Sequence, residues 1–157
     1  RVASFKTPEV KASTMVIGSN DARFTEAYRH CLDEVLKVKN YFFIKSKGLI
    51  NSLVHNREGD RMQSINEIKK TLVKGIKKVI IITHVNCAKG PGYKSRLLKR
   101  AKRIEAAKAA ENMIRTSFAD RAQGLNISCY IISMDGENKT LDKIYESSPK
   151  TKSATAK

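Results

Sequence analysis

Two periods of apolar residues alternate along the chain. "TMVI", residues 14–17, is a short apolar run that breaks at Gly18, the pattern of a buried strand. From Phe24 the spacing turns helical, with Phe24, Ala27, Tyr28, Cys31, Leu32, Val35 and Leu36 recurring every three or four positions. "YFFI", 41–44, predicts a second strand, and Met62, Ile65, Ile68, Leu72 and Ile76 mark a second helix. "VIIIT", 79–83, predicts a third strand; it has no alternation, so both of its faces are expected to be covered. A long helix follows from about Tyr93 to Ala122, and "ISCYIIS", 127–133, is the fourth strand. Residues 1–13 show no period and read as an N-terminal arm. One α/β domain is expected over 14–146, and 147–157, rich in Lys, Ser and Thr, reads as a basic flexible tail.

Strands alternating with amphipathic helices imply a parallel sheet with helices on both faces. Function in such sheets sits in loops beyond the strands' carboxyl ends, where the strand order reverses. Two loops stand out by content: "GSNDARF" after the first strand and "HVNCAKGPG" after the third. If those strands are neighbours, the loops share one crevice.

Composition then changes the picture in one respect. The 157 residues suffice for one domain, and 41% hydrophobic content fits a folded one. No apolar stretch approaches the roughly 20 residues that span a bilayer, so a soluble protein is expected. The unusual quantity is charge: 31 Lys and Arg against 15 Asp and Glu, a net of +16 spread over the whole chain. Such an excess points to a polyanionic partner. Three cysteines, Cys31, Cys87 and Cys129, make no disulfide framework and fit a reducing, intracellular compartment, the mitochondrial matrix or the cytoplasm. The start at Arg1 fits a processed product or part of a longer one. Cys31 and Cys129 read as core, and His30 and His55 as ordinary surface or helix residues.

The two loops resemble those of the beta-class carbonic anhydrases, particularly their short prokaryotic relatives. That family carries Cys-x-Asp-x-Arg after its first strand and His-x-x-Cys after its third. The matching segments here are Ser19-Asn20-Asp21-Ala22-Arg23 and His84-Val85-Asn86-Cys87. Phe24, "KNYFFIKSKG", "GIKKVIIITH" and "SMDGE" look similar too, so the resemblance runs from about Met15 to Glu137. It implies four parallel strands in the order 2-1-3-4. It also implies a zinc held by two cysteines and a histidine, with an Asp-Arg dyad at the open position. Asp21, Arg23, His84 and Cys87 match; Ser19 stands where the first cysteine would be. A serine hydroxyl stays protonated and donates weakly to zinc. Losing one thiolate costs on the order of 3 kcal/mol of metal affinity, about a hundredfold. No cofactor is therefore expected, with zinc on His84 and Cys87 as the alternative and Asp21–Arg23 as a vestigial dyad.

The strongest positive signal is "KSRLLKRAKR", 94–103, with six basic residues in ten and no acid. On a helix, Leu97, Leu98, Ala101 and Ile104 group on one side, which predicts the face that docks on the sheet. Arg96, Lys99, Arg100, Lys102 and Arg103 are expected to fan across the opposite side as a broad cationic face and, with Lys94, are the candidate phosphate-binding residues. They carry no base-reading pattern, and bulky apolar side chains suited to a membrane are missing from the same surface. "GPGYKS", 90–95, fails as a nucleotide loop because Tyr93 separates Gly92 from Lys94, although amides before a helix can hold a lone phosphate.

The expectation is thus a pseudoenzyme of carbonic anhydrase type acting as a basic RNA-binding subunit of a ribonucleoprotein. Ribosomal RNA and neighbouring proteins are its expected partners, with a mitochondrial ribosome among the expected assemblies, and a membrane is not. A zinc-dependent hydratase with an altered ligand set is the first alternative. A protein scaffold built on the alanine-rich helix, without RNA, is the second.

Overall fold

The computed structural model describes residues 3–4, 12–19, 24–46, 58–86, 92–135 and 138–147. β1 (Thr14–Ser19) is followed by α1 (Thr25–His30), which runs on into one π-helical turn, Cys31–Val35. Then come β2 (Tyr41–Ser46), α2 (Glu58–Leu72), β3 (Lys78–Asn86), α3 (Gly92–Ser117), the short α4 (Ala119–Ala122), β4 (Asn126–Asp135) and β5 (Asn138–Ser147).

The strands form one sheet in the order β2-β1-β3-β4-β5. The first four are parallel, in the expected order 2-1-3-4. β5 pairs antiparallel with β4, an addition the sequence pattern did not predict. Its apolar residues Leu141 and Ile144 are three apart, and a bulge sits where Cys129 faces Tyr145 but Tyr130 faces Lys143. An edge strand with a bulge leaves no clean alternation to read. Its charges, Lys139, Asp142, Lys143 and Glu146, discourage pairing with another sheet edge.

Both faces of the sheet are covered. On one, Met15, Ile17, Val79, Ile81, Ile127 and Cys129 meet Ile68 and Leu72 of α2 and Ala107, Ala110 and Ile114 of α3. On the other, Val16, Ile80, Ile82, Tyr130 and Ile132 meet Phe24, Ala27, Tyr28, Cys31 and Leu32. Covering on both sides explains why β1 and β3 read as continuous apolar runs; Met15, Val16, Ile17 and Val79 to Ile82 are all 0% exposed. Cys31 and Cys129 are buried, as expected, and burial pushes the Cys31 thiol up, which keeps it protonated and inert.

Local departures have local causes. The π turn, with Leu36 N–H bonded to Cys31 O at 2.8 Å, widens the helix and rotates Val35 off the apolar stripe into solvent. Met62, expected on the buried stripe of the second helix, is exposed. The long helix ends at Ser117 and restarts at Ala119, close to the expected extent.

The expected docking face of α3 is corrected. Of its residues, Ala101 is exposed and Ile104 half-buried, while the side chains of Leu97 and Leu98 lie outside the described ones; the buried stripe is Ala107, Ala110 and Ile114. Seven- and three-residue steps back along that stripe reach Arg103 and Arg100, both half-buried. The outward ridge of the described part is Ala101, Lys102, Glu105, Lys108 and Asn112. A helix is stiff, so its alanine-rich half, lying over β3 and β4, also sets the rotation of Arg100 to Arg103. At the far end, Arg115 ties the helix to the rest of the sheet. Its guanidinium donates to Ala122 O at 2.7 Å, Leu125 O at 3.2 Å and Ser147 O at 3.4 Å, and pairs with Glu111 at 3.2 Å.

Candidate functional site

β1 and β3 are hydrogen-bonded neighbours, from Thr14 opposite Lys78 to Ile17 opposite Ile81. Strand order reverses between them: β2 lies on one side of β1, and the chain then crosses to β3 on the other. The two loops singled out by sequence therefore leave adjacent strand ends at the switch point of the sheet.

His84 is the described centre of this edge. It lies inside β3, which runs on to Asn86, and not in the loop beyond as the apolar run alone suggested. Strand alternation puts it on the face of Ile80 and Ile82, against α1. There its ring stacks on Phe24, with centroids 4.0 Å apart and planes at 24°. Tyr28, one helical turn on, brings its hydroxyl to 2.6 Å from His84 Nδ1. Phe24 and Tyr28 are 0% and 1% exposed, so both holders of the imidazole are themselves fixed.

Gly18 makes the packing beneath them feasible. A Cβ there would meet Phe43 Cζ at 3.1 Å and Tyr28 Cε2 at 3.5 Å. Gly18→Ala should destabilise the domain by about 1 kcal/mol, the overpacking cost less what alanine gains in a strand. Thermal unfolding measures it; an unchanged or raised midpoint would show that the aromatic pair yields freely.

The tautomer of His84 decides what the ring can do. If Nδ1–H donates to the tyrosine oxygen, Nε2 keeps the lone pair that a metal or a proton needs. If the Tyr28 hydroxyl donates to Nδ1, the neutral ring carries its proton on Nε2 and cannot ligate there. A positioned imidazole alone is no zinc site, and among the described residues no three His, Cys, Asp or Glu side chains converge as a metal would require. Ser19 closes β1, opposite Ser46 of β2. Asp21, Arg23 and Cys87 lie outside the described residues, as does His55; His30 is exposed.

The candidate nucleic-acid residues all fall on α3. Lys94, Arg96 and Lys99 lie in its first turns, with side chains outside what is described. Lys102 faces solvent, Arg103 is half-buried, and Arg100 pairs with Asp142 of β5 at 3.2 Å. Sequence reasoning missed Phe24 and Tyr28 as site residues because they sit on the apolar stripe of α1. The available signal was the tyrosine itself, whose buried hydroxyl needs a partner.

No family model and no curated protein matches the chain. Among solved structures, the beta-carbonic anhydrase isoform I of the protozoan Trichomonas vaginalis is similar over 88% of this chain and 86% of that one, with a TM-score of 0.44 and 13% identity. A likeness of that degree assigns neither family nor chemistry, and the architecture rests on the strand order and pairing of this chain.

Proposed function

We propose that this chain is a degenerate beta-class carbonic anhydrase-like domain serving as a basic, RNA-binding structural subunit of a ribonucleoprotein, with a ribosome, cytoplasmic or mitochondrial, as the assembly. The observation that carries the reading is the net charge of +16 on a single α/β domain. It is supported by Lys102 on the outward ridge of α3, with Arg103 half-buried and Arg100 half-buried and paired to Asp142 on the sheet side. These side chains suit phosphate, which positions a protein on RNA without reading sequence. Ser19 at the position of the family's first thiolate supports the loss of metal chemistry. Sedimentation of a native lysate at moderate salt tests the assembly. The chain should run with a large particle and be released by RNase; a small free species in both samples contradicts the reading.

One observation favours a second reading, zinc-dependent hydration of carbon dioxide with an altered ligand set. His84 is half-buried and oriented by Tyr28, as a ligating imidazole is oriented by a second partner. His84 and Cys87 would hold the ion, and zinc would supply an activated water. Stoichiometric zinc in the purified chain, absent from His84→Ala, would establish binding, and hydratase activity would establish the function.

A further inference from the structure

Resting on the RNA reading above, we infer that the amino-terminal edge of the sheet is a second phosphate-binding surface, so that the domain bridges two RNA segments. Between Glu67 and Glu105 there is no acidic residue and there are twelve Lys or Arg. β3 lies in the middle of this stretch and crosses the whole sheet. Lys69, Lys70, Lys74, Lys77 and Lys78 come before or at its start; the other seven follow it, six of them on α3. The strand therefore separates one acid-free run into a group at its amino end and a group that follows its carboxyl end.

The amino edge is built firmly. The N–H groups of Lys77 and Lys78 both bond Ser13 O, at 2.8 and 3.1 Å, and Asn126 N–H bonds Lys77 O at 3.0 Å. These bonds knit the starts of β1, β3 and β4 together. Lys69 and Lys70 occupy the last turn of α2, and the chain then reverses through Lys74 and Gly75, whose φ of 87° only glycine adopts readily. The Lys74 ammonium lies 4.6 Å over the Phe42 ring, which holds this turn against the start of β2. Lys37, itself at φ 52°, and Lys39 lead into β2 on the same edge. Lys37, Lys39, Lys69, Lys70, Lys74 and Lys77 are all exposed.

Acids near this edge do not balance them. Asp33 accepts the Tyr41 hydroxyl at 3.1 Å, and Glu146 takes the Lys143 ammonium at 2.6 Å with Lys78 also in its field; Glu34, Glu67 and Asp120 are exposed, fewer than the six exposed lysines. A surface made mostly of lysines, with exposed Arg29 near Tyr41 and exposed Arg121 beside Asp120, suits a phosphate track rather than base edges. A membrane is the poorer fit, because Val73 is the one exposed large apolar residue among those described in this turn.

The two surfaces point in different directions. α3 lies on a face of the sheet, whereas the lysine edge looks along the strands. Arg100 bonds Asp142, which pairs with Ile131, which pairs with Thr83. From that level to Lys77 is six residues of β3, roughly 20 Å at strand spacing. One stiff duplex cannot follow both surfaces around that corner.

The test uses the full chain and a short RNA duplex of about one helical turn, in donor- and acceptor-labelled forms. The wild type should bind two duplexes per chain and bring donor and acceptor together. Lys39→Glu/Lys74→Glu/Lys77→Glu should bind one duplex and lose the energy transfer; the matching Lys→Gln triple variant should weaken the second site while keeping the unfolding midpoint. Two duplexes and full transfer in both variants overturn the inference. A wild type that binds one duplex, indifferent to these changes, also overturns it while leaving the RNA reading intact. A wild type that binds none removes both. Loss of anionic-vesicle binding in the variants, with RNA stoichiometry unchanged, overturns it in favour of a membrane.

Discussion

Arg115→Ala should lower the unfolding free energy by about 3 kcal/mol, among the largest effects of any single polar residue in the domain. The side chain is 14% exposed and its Glu111 partner 15%. Removing the guanidinium strands the Glu111 carboxylate and the Leu125 carbonyl near the start of β4, and leaves Ala122 O with only the Leu125 N–H at 3.1 Å. It also frees the end of β5, where Ser147 Oγ lies 2.5 Å from Arg115 Nη2. Breaking a partly buried charged network costs more than its bonds contribute, because the groups left behind stay desolvated. Arg115→Lys should recover less than half of the loss, since an ammonium cannot present a planar fork to several acceptors at once. Urea denaturation checks both: a shifted midpoint with an unchanged slope is expected. A loss below about 1 kcal/mol would mean that water satisfies these groups as well as the arginine does.

Tyr28→Ala should cost about 3–5 kcal/mol, and Tyr28→Phe only about 1 kcal/mol. The alanine variant empties a fully buried site beside Phe24 and Phe43. The phenylalanine variant keeps that packing and removes only the hydroxyl that meets His84 Nδ1. A double-mutant cycle of Tyr28→Phe with His84→Ala isolates their coupling, expected at about 0.5–1.5 kcal/mol. No coupling would mean that the histidine is held by its Phe24 stack and its other neighbours alone. The cycle bears directly on the site: a strongly coupled imidazole is fixed in one orientation whatever it is used for.

The parallel core was legible because its physics is local. Val79 to Ile82 lacks alternation only if both faces are covered, and the helical spacing between strands then forces crossovers. β5 was not legible, because an edge strand with a bulge spreads Leu141 and Ile144 over both faces. The rotation of α3 was hidden for another reason. The local spacing grouped Ala101 with Ile104, but Ala107, Ala110 and Ile114 lie over the sheet and turn Ala101 to solvent while Ile104 stays half-buried. The motif spacing located His84 at the right strand end. It could not locate Phe24 and Tyr28, since their partnership with His84 joins residues 60 and 56 positions apart. The lysine edge was equally hidden, because its residues come from the ends of three elements.

The most direct measurement of the central claim is RNA affinity as a function of salt for the full chain and for Lys102→Glu/Arg103→Glu. A log–log slope of about −3 to −5 is expected for the wild type, with four or five phosphates neutralised. The charge-reversed variant should bind more weakly on every RNA sequence, its slope shallower by about one unit for each phosphate it no longer neutralises. A slope near zero in the wild type would contradict the account, whatever the affinity at low salt.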